Sequence, residues 1–128
     1  MRGAVVVLAA LTIACAACFS DRTAGPVTSL AACRVPVTVI DSMHYLVAIR
    51  DFLYSPDSLA VPQGATVSWL NCEDAGTEPH TATSDTAGVF DSSLLVSGGH
   101  YSHRFTGTGA FPYFCTEHTY MTGKIVVQ

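Results

Sequence analysis

Short runs of β-branched and aromatic residues, separated by turn signals, fill the chain from residue 35 to its end. Six of these runs are predicted to be strands: 35–40, 45–49, 65–70, 100–105, 111–115 and 124–128. Several alternate apolar and polar residues, which indicates strands that bury one face, with Trp69, Phe105 and Phe114 expected on inward faces. Helical patterning is nearly absent, apart from one short turn at "DSSLL". The pattern therefore predicts an all-β sandwich or Greek-key barrel.

The first 18 residues have a different character from the rest of the chain. One arginine precedes a long apolar run that ends in small residues, and this layout is typical of a secretory signal. The cysteines Cys15 and Cys18 each follow an alanine, which resembles a bacterial lipoprotein signal. Lipidation at Cys18 or Cys15 and plain cleavage after a small residue both remain open. We expect an exported protein of the periplasm or cell envelope, with residues 19–34 as a flexible tether and residues 35–128 as the folded domain.

Three cysteines lie beyond the predicted signal, namely Cys33, Cys72 and Cys115. An exported protein can form disulfides, and an odd number of cysteines leaves one outside any intramolecular pair. If Cys115 binds a metal, Cys33 and Cys72 are available to pair with each other. The alternative, in which both are free thiols, also fits the sequence.

The charge of the chain excludes one class of partner. Lysine and arginine number 6 against 10 aspartates and glutamates, and the basic residues form no block. Nucleic-acid binding depends on clustered basic side chains that neutralise phosphates. We therefore expect no nucleic-acid partner. We also expect contact with a membrane only through a possible lipid at the N-terminus.

The stretch "CTEHTYM" places Cys115, His118 and Met121 three residues apart. Because it joins the predicted strands 111–115 and 124–128, it is predicted to be a loop on which the three donors can converge, and not a helix. Thiolate and thioether suit copper(I), and imidazole suits copper in both oxidation states. A structural zinc site more often uses four Cys or His in paired short spacings. A redox copper site usually takes two imidazoles and a thiolate with a weak axial thioether, so a second histidine is required.

Four other histidines could supply the missing imidazole. His80 follows a strand and a turn-rich loop in "EPHTATS", where the preceding proline fixes the backbone. His103 shares a strand face with aromatic residues and is expected to be half-buried, and His44 is expected to be exposed. His80 is therefore the candidate with the best sequence context, ahead of His44, His100 and His103.

The fragments "VSWLN", "PHTATS", "FDSSLL", "SGGHYSHRF", "GTGAFPYFC" and "CTEHTYM" before "GKIVV" together resemble the plastocyanin and amicyanin type of cupredoxin. The resemblance runs from about residue 45 to the end. It implies a cupredoxin-like Greek-key sandwich that binds one copper ion through His80, Cys115, His118 and Met121, with the short ligand spacing of amicyanin. It also implies that Asn71 steadies the ligand loop and hydrogen-bonds to the ligand sulfur, a contact of the kind that tunes a metal's potential.

The sequence departs from that family at the rim of the site. Glu117 and Thr119 stand where the family often has proline. The loop between Asn71 and His80 is also longer than in amicyanin, and it carries Cys72, Glu73, Asp74 and Glu78. These departures leave the four ligands in place and change the charge and stiffness around them.

The resemblance implies a type 1 copper protein, a monomer that carries single electrons between redox proteins of the cell envelope by outer-sphere transfer. His118 would be the exposed ligand through which electrons pass. The alternative is a copper-binding or delivery module that uses the same fold without fast electron transfer. An enzyme is not expected, because copper oxidases and nitrite reductases resemble fusions of several such domains with additional histidine-rich sites.

Overall fold

The computed structural model describes residues 33–34 and 39–128. These ranges contain the strands β1 Val39–Asp41, β2 His44–Arg50, β3 Leu53–Ser55, β4 Ser58–Val61, β5 Thr66–Asn71, β6 Thr83–Ser84, β7 His100–Arg104, β8 Gly109–Phe114 and β9 Thr122–Val127. No α-helix occurs in the described ranges, and the all-β prediction is confirmed. The predicted signal, most of the predicted tether and the start of the run 35–40 lie outside the described residues.

The strands form two mixed sheets. The first has the order β1-β2-β5-β7, with β3 also paired to β2, and the second has the order β4-β9-β8-β6. The pairs β2–β5 and β4–β9 are parallel, whereas the other pairs are antiparallel. Within the described part of the chain, no helix is long and apolar enough to cross a membrane.

The core between the sheets is built around one aromatic group. Trp69 on β5 is fully buried and lies stacked on Phe90, with ring centroids 5.2 Å apart. Tyr113 on β8 meets the same indole edge-on at 5.3 Å. Phe105 is also buried, so the inward positions predicted for Trp69 and Phe105 are confirmed. Burial of such large aromatic rings supplies much of the apolar area that stabilises a small domain.

The inward position predicted for Phe114 is wrong, because this side chain is only half-buried. Successive residues of a strand point to opposite faces of the sheet, and on β8 the inward side chain is its neighbour Tyr113. Cys115, which follows the end of β8, shares the inward parity and is fully buried. This alternation directs the thiol of Cys115 into the interior of the sandwich.

The chain around β3, β4 and β6 was not predicted to form strands. Residues 53–61 contain the turn signal "YSPDS", which predicts a turn. In the structure two short strands, β3 and β4, lie close together there. The stretch "DSSLL" contains no helical turn, since only its first and last residues form isolated bridges to other segments, and the predicted turn is wrong. The Oδ1 of Asp91 accepts a hydrogen bond from the backbone of Ser93, which has a φ of 55°, and Leu95 pairs with His80. A short side chain that bonds to nearby backbone competes with helix formation in this way.

Cys33 and Cys72 form a disulfide, and Cys115 is free. This decides between the two cysteine arrangements that the sequence leaves open. Cys72 directly follows β5, so the bridge fixes the beginning of the long loop that leads to His80.

Candidate metal centre

Three of the four predicted ligands come together at one end of the sandwich. One donor atom from each of His80, Cys115 and His118 lies within 4.8 Å of the other two. The sulfur of Cys115 is 3.9 Å from Nδ1 of His80 and 3.8 Å from Nδ1 of His118. A first-row metal such as zinc binds nitrogen and sulfur at about 2.0–2.3 Å, which separates two in-plane ligands by roughly 3.8 Å. The donors present therefore fit a single metal ion.

The fourth predicted ligand, Met121, closes the loop that begins at Cys115. The amide of Cys115 donates a hydrogen bond to the carbonyl of Met121 at 3.1 Å, and the amide of Met121 donates to the carbonyl of His118 at 2.8 Å. Met121 is 1% exposed and belongs to the same core cluster as Cys115. The predicted loop is confirmed, and its backbone hydrogen bonds bring the thioether residue back to the cysteine.

The backbone of His80 is fixed by pairing with the segment around Leu95. Its amide and carbonyl exchange hydrogen bonds with Leu95 at 3.1 and 2.7 Å. The side-chain amide of Asn71 donates to the carbonyl of Leu95 at 2.8 Å, while its oxygen accepts from the amide of Glu73. Asn71 therefore steadies the His80 loop through Leu95. These are the hydrogen bonds that Asn71 makes in the structure, and its predicted bond to the ligand sulfur stays a prediction.

The sulfur of Cys115 instead receives a hydrogen bond from the backbone of Thr81, with N···S 3.3 Å. The hydroxyl of Thr81 accepts from the amide of Thr116 at 2.9 Å, and the carbonyl of Thr81 accepts from the hydroxyl of Tyr54. Sequence reasoning missed this role of Thr81, although its position directly after His80 was a signal. These contacts join the two ligand loops on each side of the sulfur.

The imidazole of His80 has the protonation state that a ligand needs. Its side chain is fully buried, and this burial, with a smaller contribution from His118, lowers the pKa of His80 below its usual range. Glu73 opposes the shift, with Oε1 at 3.4 Å from Nε2 of His80, a long distance for an N–H···O hydrogen bond. The ring is therefore neutral near pH 7, and its Nδ1 can bind a metal.

The ring of Phe52 packs against both ligand imidazoles. Its ring meets His80 edge-on at 5.1 Å and His118 edge-on at 4.9 Å. Phe52 has a φ of 58°, a left-handed conformation that is rare for a bulky residue, and its amide donates to Oε1 of Glu73 at 2.8 Å. Sequence reasoning missed Phe52, because nothing in the run "RDFLYS" distinguishes a residue that turns toward the site from one in an ordinary turn.

His118 is the ligand nearest to the surface, with 11% of its side chain exposed. Its Nε2 lies 3.0 Å from Oε2 of Glu78, and the ring of Tyr120 is nearby at 6.1 Å. Glu117, which the sequence analysis singled out beside this histidine, is exposed and accepts a long contact from Thr116. The charge next to the imidazole therefore comes from the long loop before His80.

The remaining histidines lie away from the site, and His103 and His44 have the burial that the sequence predicts. His103 is half-buried between Phe90 and Phe105, with ring centroids at 5.2 and 4.8 Å. His44 is exposed and bonds to Asp41, and His100 is exposed on the first residue of β7. None of the three belongs to the cluster of donors around Cys115.

The fold and the donor set together define a copper-binding β-sandwich with one mononuclear site. The family model for copper binding proteins of the plastocyanin/azurin family matches residues 42–128, and the chain belongs to this family. Its cofactor is accordingly one copper ion.

Curated relatives and solved structures are similar to this chain over most of the domain. Amicyanin of Paracoccus versutus is 28% identical over 103 residues, which are 77% of this chain and 72% of the relative. Amicyanin of Paracoccus denitrificans is 33% identical over 88 residues, 65% of this chain and 64% of the relative. A purple cupredoxin from Nitrosopumilus maritimus superposes with TM-score 0.59 at 27% identity, covering 65% of this chain and 98% of that structure. A reduced Cu(I) form of an amicyanin variant superposes with TM-score 0.60 at 30% sequence identity. The match covers 78% of this chain and 90% of that structure.

Proposed function

We propose that this protein is a type 1 copper protein that carries single electrons between redox proteins. The observation that carries the proposal is the convergence of two imidazole Nδ1 atoms on the buried sulfur of Cys115, at 3.9 and 3.8 Å. His80, Cys115, His118 and Met121 would hold the metal through two imidazoles, a thiolate and a thioether, which are the donors that such copper sites use. Bound there, copper supplies a one-electron couple.

Hydrogen bonds within the protein hold the segments that carry these donors. Backbone hydrogen bonds close the loop from Cys115 to Met121, and Thr81 ties this loop to the segment of His80. A cage that is held by the protein can keep one geometry in both oxidation states, so that little reorganisation accompanies electron transfer. This supports an electron carrier more strongly than a delivery module, which must open its ligands to release copper.

Electrons are proposed to pass through His118. Among the histidine ligands it is the one with an exposed part, since His80 is fully buried. A partner protein that docks over this end of the sandwich needs no bond to the metal, so the transfer is outer-sphere. Electron transfer of this kind requires one copper site and no substrate pocket, and we propose a monomeric carrier with no enzymatic activity.

Export to the periplasm or cell envelope is part of the proposal. The signal-like residues 1–18 support it, as does the disulfide between Cys33 and Cys72, because disulfides persist mainly in oxidising compartments. Residues 19–34 would connect the domain at 35–128 to a lipid at Cys18 or Cys15. Mass spectrometry of the N-terminal peptide from membrane and soluble fractions tests this, since a lipidated cysteine adds the mass of its acyl chains.

Two rates separate the carrier from the delivery module. For a carrier, mixing the Cu(I) and Cu(II) forms should give fast electron self-exchange, visible as NMR line broadening, and copper should leave slowly when a chelator is added. Slow self-exchange together with rapid loss of copper to the chelator would instead favour delivery.

A further inference from the structure

The imidazole of His118 is contacted on both of its nitrogens. Its Nδ1 faces the sulfur of Cys115 at 3.8 Å, and its Nε2 faces Oε2 of Glu78 at 3.0 Å. The second distance is that of an ordinary N–H···O hydrogen bond. In a neutral imidazole, a carboxylate that accepts from Nε2–H selects the tautomer whose Nδ1 is unprotonated and can bind a metal.

We propose that Glu78 is a positioning residue for His118, which it orients and tunes by this hydrogen bond. The inference rests on the proposed copper function and deepens it, because it assigns a role at the exposed edge of the site to a residue of the long loop. Glu78 is not one of the four proposed ligands, and its contact with the site is the hydrogen bond to the imidazole of His118.

The backbone around Glu78 supports a defined position for its carboxylate. Proline follows Glu78 and restricts its backbone to extended conformations. The amide of Thr77 donates to the carbonyl of Asp74 at 3.1 Å, which closes a turn just before it, and His80 two residues later is paired with Leu95. Glu78 thus extends from the segment of one ligand histidine to the other, across 40 residues of sequence.

A carboxylate on the outer nitrogen of a ligand histidine raises the basicity of the ring and fixes its orientation. Its negative charge also favours the more positive oxidation state of a bound copper. Both effects stabilise Cu(II) relative to Cu(I), so Glu78 should lower the reduction potential. Because 77% of the Glu78 side chain is exposed, water screens its charge, and the hydrogen bond should account for most of the effect.

The hydrogen bond can be tested on the metal-free protein, independently of copper. NMR above neutral pH measures how fast the Nε2 proton of His118 exchanges with water. In Glu78→Ala the exchange should become at least about tenfold faster, because the proton loses its acceptor. In Glu78→Gln the side-chain oxygen can still accept, so the exchange should be slower than in Glu78→Ala. Glu117→Gln is the matched control, since Glu117 is an exposed carboxylate beside His118 that does not contact the ring, and it should exchange as the wild type does.

The reduction potential of the copper-loaded variants gives the second readout. Glu78→Ala should shift the ratio of Cu(I) to Cu(II) affinity by up to about tenfold in favour of Cu(I), which is 59 mV for a one-electron couple. Glu78→Gln should shift this affinity ratio less than Glu78→Ala does, and Glu117→Gln should shift it least. Unchanged proton exchange in Glu78→Ala, or equal shifts of potential in Glu78→Ala and Glu117→Gln, would overturn the proposal and leave Glu78 as a solvated surface carboxylate. Failure of the wild type to form a thiolate–copper band would count against the proposed function, while the proton exchange would still decide the role of Glu78.

Discussion

The backbone amide of Thr81 lies 3.3 Å from the sulfur of Cys115, and it joins the segment of one ligand to the side chain of another. Thr81 directly follows His80, and its hydroxyl accepts from the residue after Cys115. Neither ligand can therefore move far without breaking a contact of the other. A hydrogen bond to a thiolate also withdraws charge from the sulfur, which is one way in which a protein tunes a copper site. The geometry of the site thus depends on hydrogen bonds that join the two ligand loops.

Glu73 should matter for stability and for metal affinity. Its Oε1 accepts from the amide of Phe52 and lies 3.4 Å from Nε2 of His80. Glu73→Ala should lower the free energy of unfolding by about 1–2 kcal/mol, since the partly buried amide loses its acceptor, and copper affinity by about 10–100-fold. Urea unfolding of the metal-free protein and competition with a chelator measure the two effects. Glu73→Gln, which retains an acceptor for Phe52, should lose less stability, and equal stability of Glu73→Ala and the wild type would contradict this account.

The disulfide should be a major contribution to stability. Cys33 and Cys72 are 39 residues apart, and the bridge restricts the unfolded chain over that length. The variant with both Cys33→Ser and Cys72→Ser should lose about 2–4 kcal/mol of unfolding free energy, measured by urea denaturation. A thiol reductant should destabilise the wild type by a similar amount and leave the double variant unchanged. A reductant that lowers the stability of both equally would show that the bridge is not responsible.

The sequence pointed to His80, Cys115 and His118, whose donors converge in the structure, because the spacing in "CTEHTYM", the context of His80 and the resemblance to cupredoxins together single them out. The contact partners of the site could not be predicted. The sequence did not indicate that the side-chain amide of Asn71 donates to the carbonyl of Leu95. The backbone group that donates to Cys115 is determined by how two loops pack against each other. Such packing produces no periodic pattern or compositional bias that could be recognised in the sequence. The half-buried position of Phe114 follows from the parity of β8, which one residue of register decides.

Gly123 on β9 should resist substitution. It pairs with Tyr113 on β8, and a Cβ at Gly123 would lie 2.8 Å from Cε1 of that ring and closer still to Cζ and Oη. The ring cannot move easily, because it packs against Trp69 in the core. Gly123→Ala should therefore lower the unfolding free energy by about 1–3 kcal/mol, with a matching fall in the melting temperature. Gly107→Ala is the control, since a Cβ there meets no atom within 4 Å, and equal stability of both variants would contradict the prediction.

The metal-free protein should become less stable as the pH falls below about 6.5, the pKa of an unperturbed histidine. Burial lowers the pKa of His103 and is also the main cause that lowers the pKa of His80. In this range the unfolded chain binds protons that the native state does not, so the free energy of unfolding decreases with decreasing pH. His103→Gln should weaken this dependence in urea titrations between about pH 7 and pH 5, whereas His100→Gln, on the exposed face of β7, serves as the control. An unchanged dependence in His103→Gln would contradict the assignment.

The rim of the site shows most clearly what sequence alone misses. Glu117 was singled out because it stands where the family often has proline, but the carboxylate on the ring of His118 belongs to Glu78. Glu78 lies on the loop between Asn71 and His80, and the path of such a loop depends on its tertiary contacts. Likewise, Phe52 touches both imidazoles because Asp51 and Phe52 adopt left-handed conformations, which no glycine or asparagine in the sequence indicates.

Addition of Cu(II) to the purified metal-free protein tests the central claim most directly. The visible and EPR spectra of the wild type should show an intense thiolate-to-Cu(II) charge-transfer band and narrow copper hyperfine splitting. Cys115→Ser should lose the band, because a hydroxyl cannot replace the thiolate as a charge donor. Wild-type protein that binds one Cu(II) per chain and remains colourless would contradict the assignment of Cys115, His80, His118 and Met121 as a type 1 copper site.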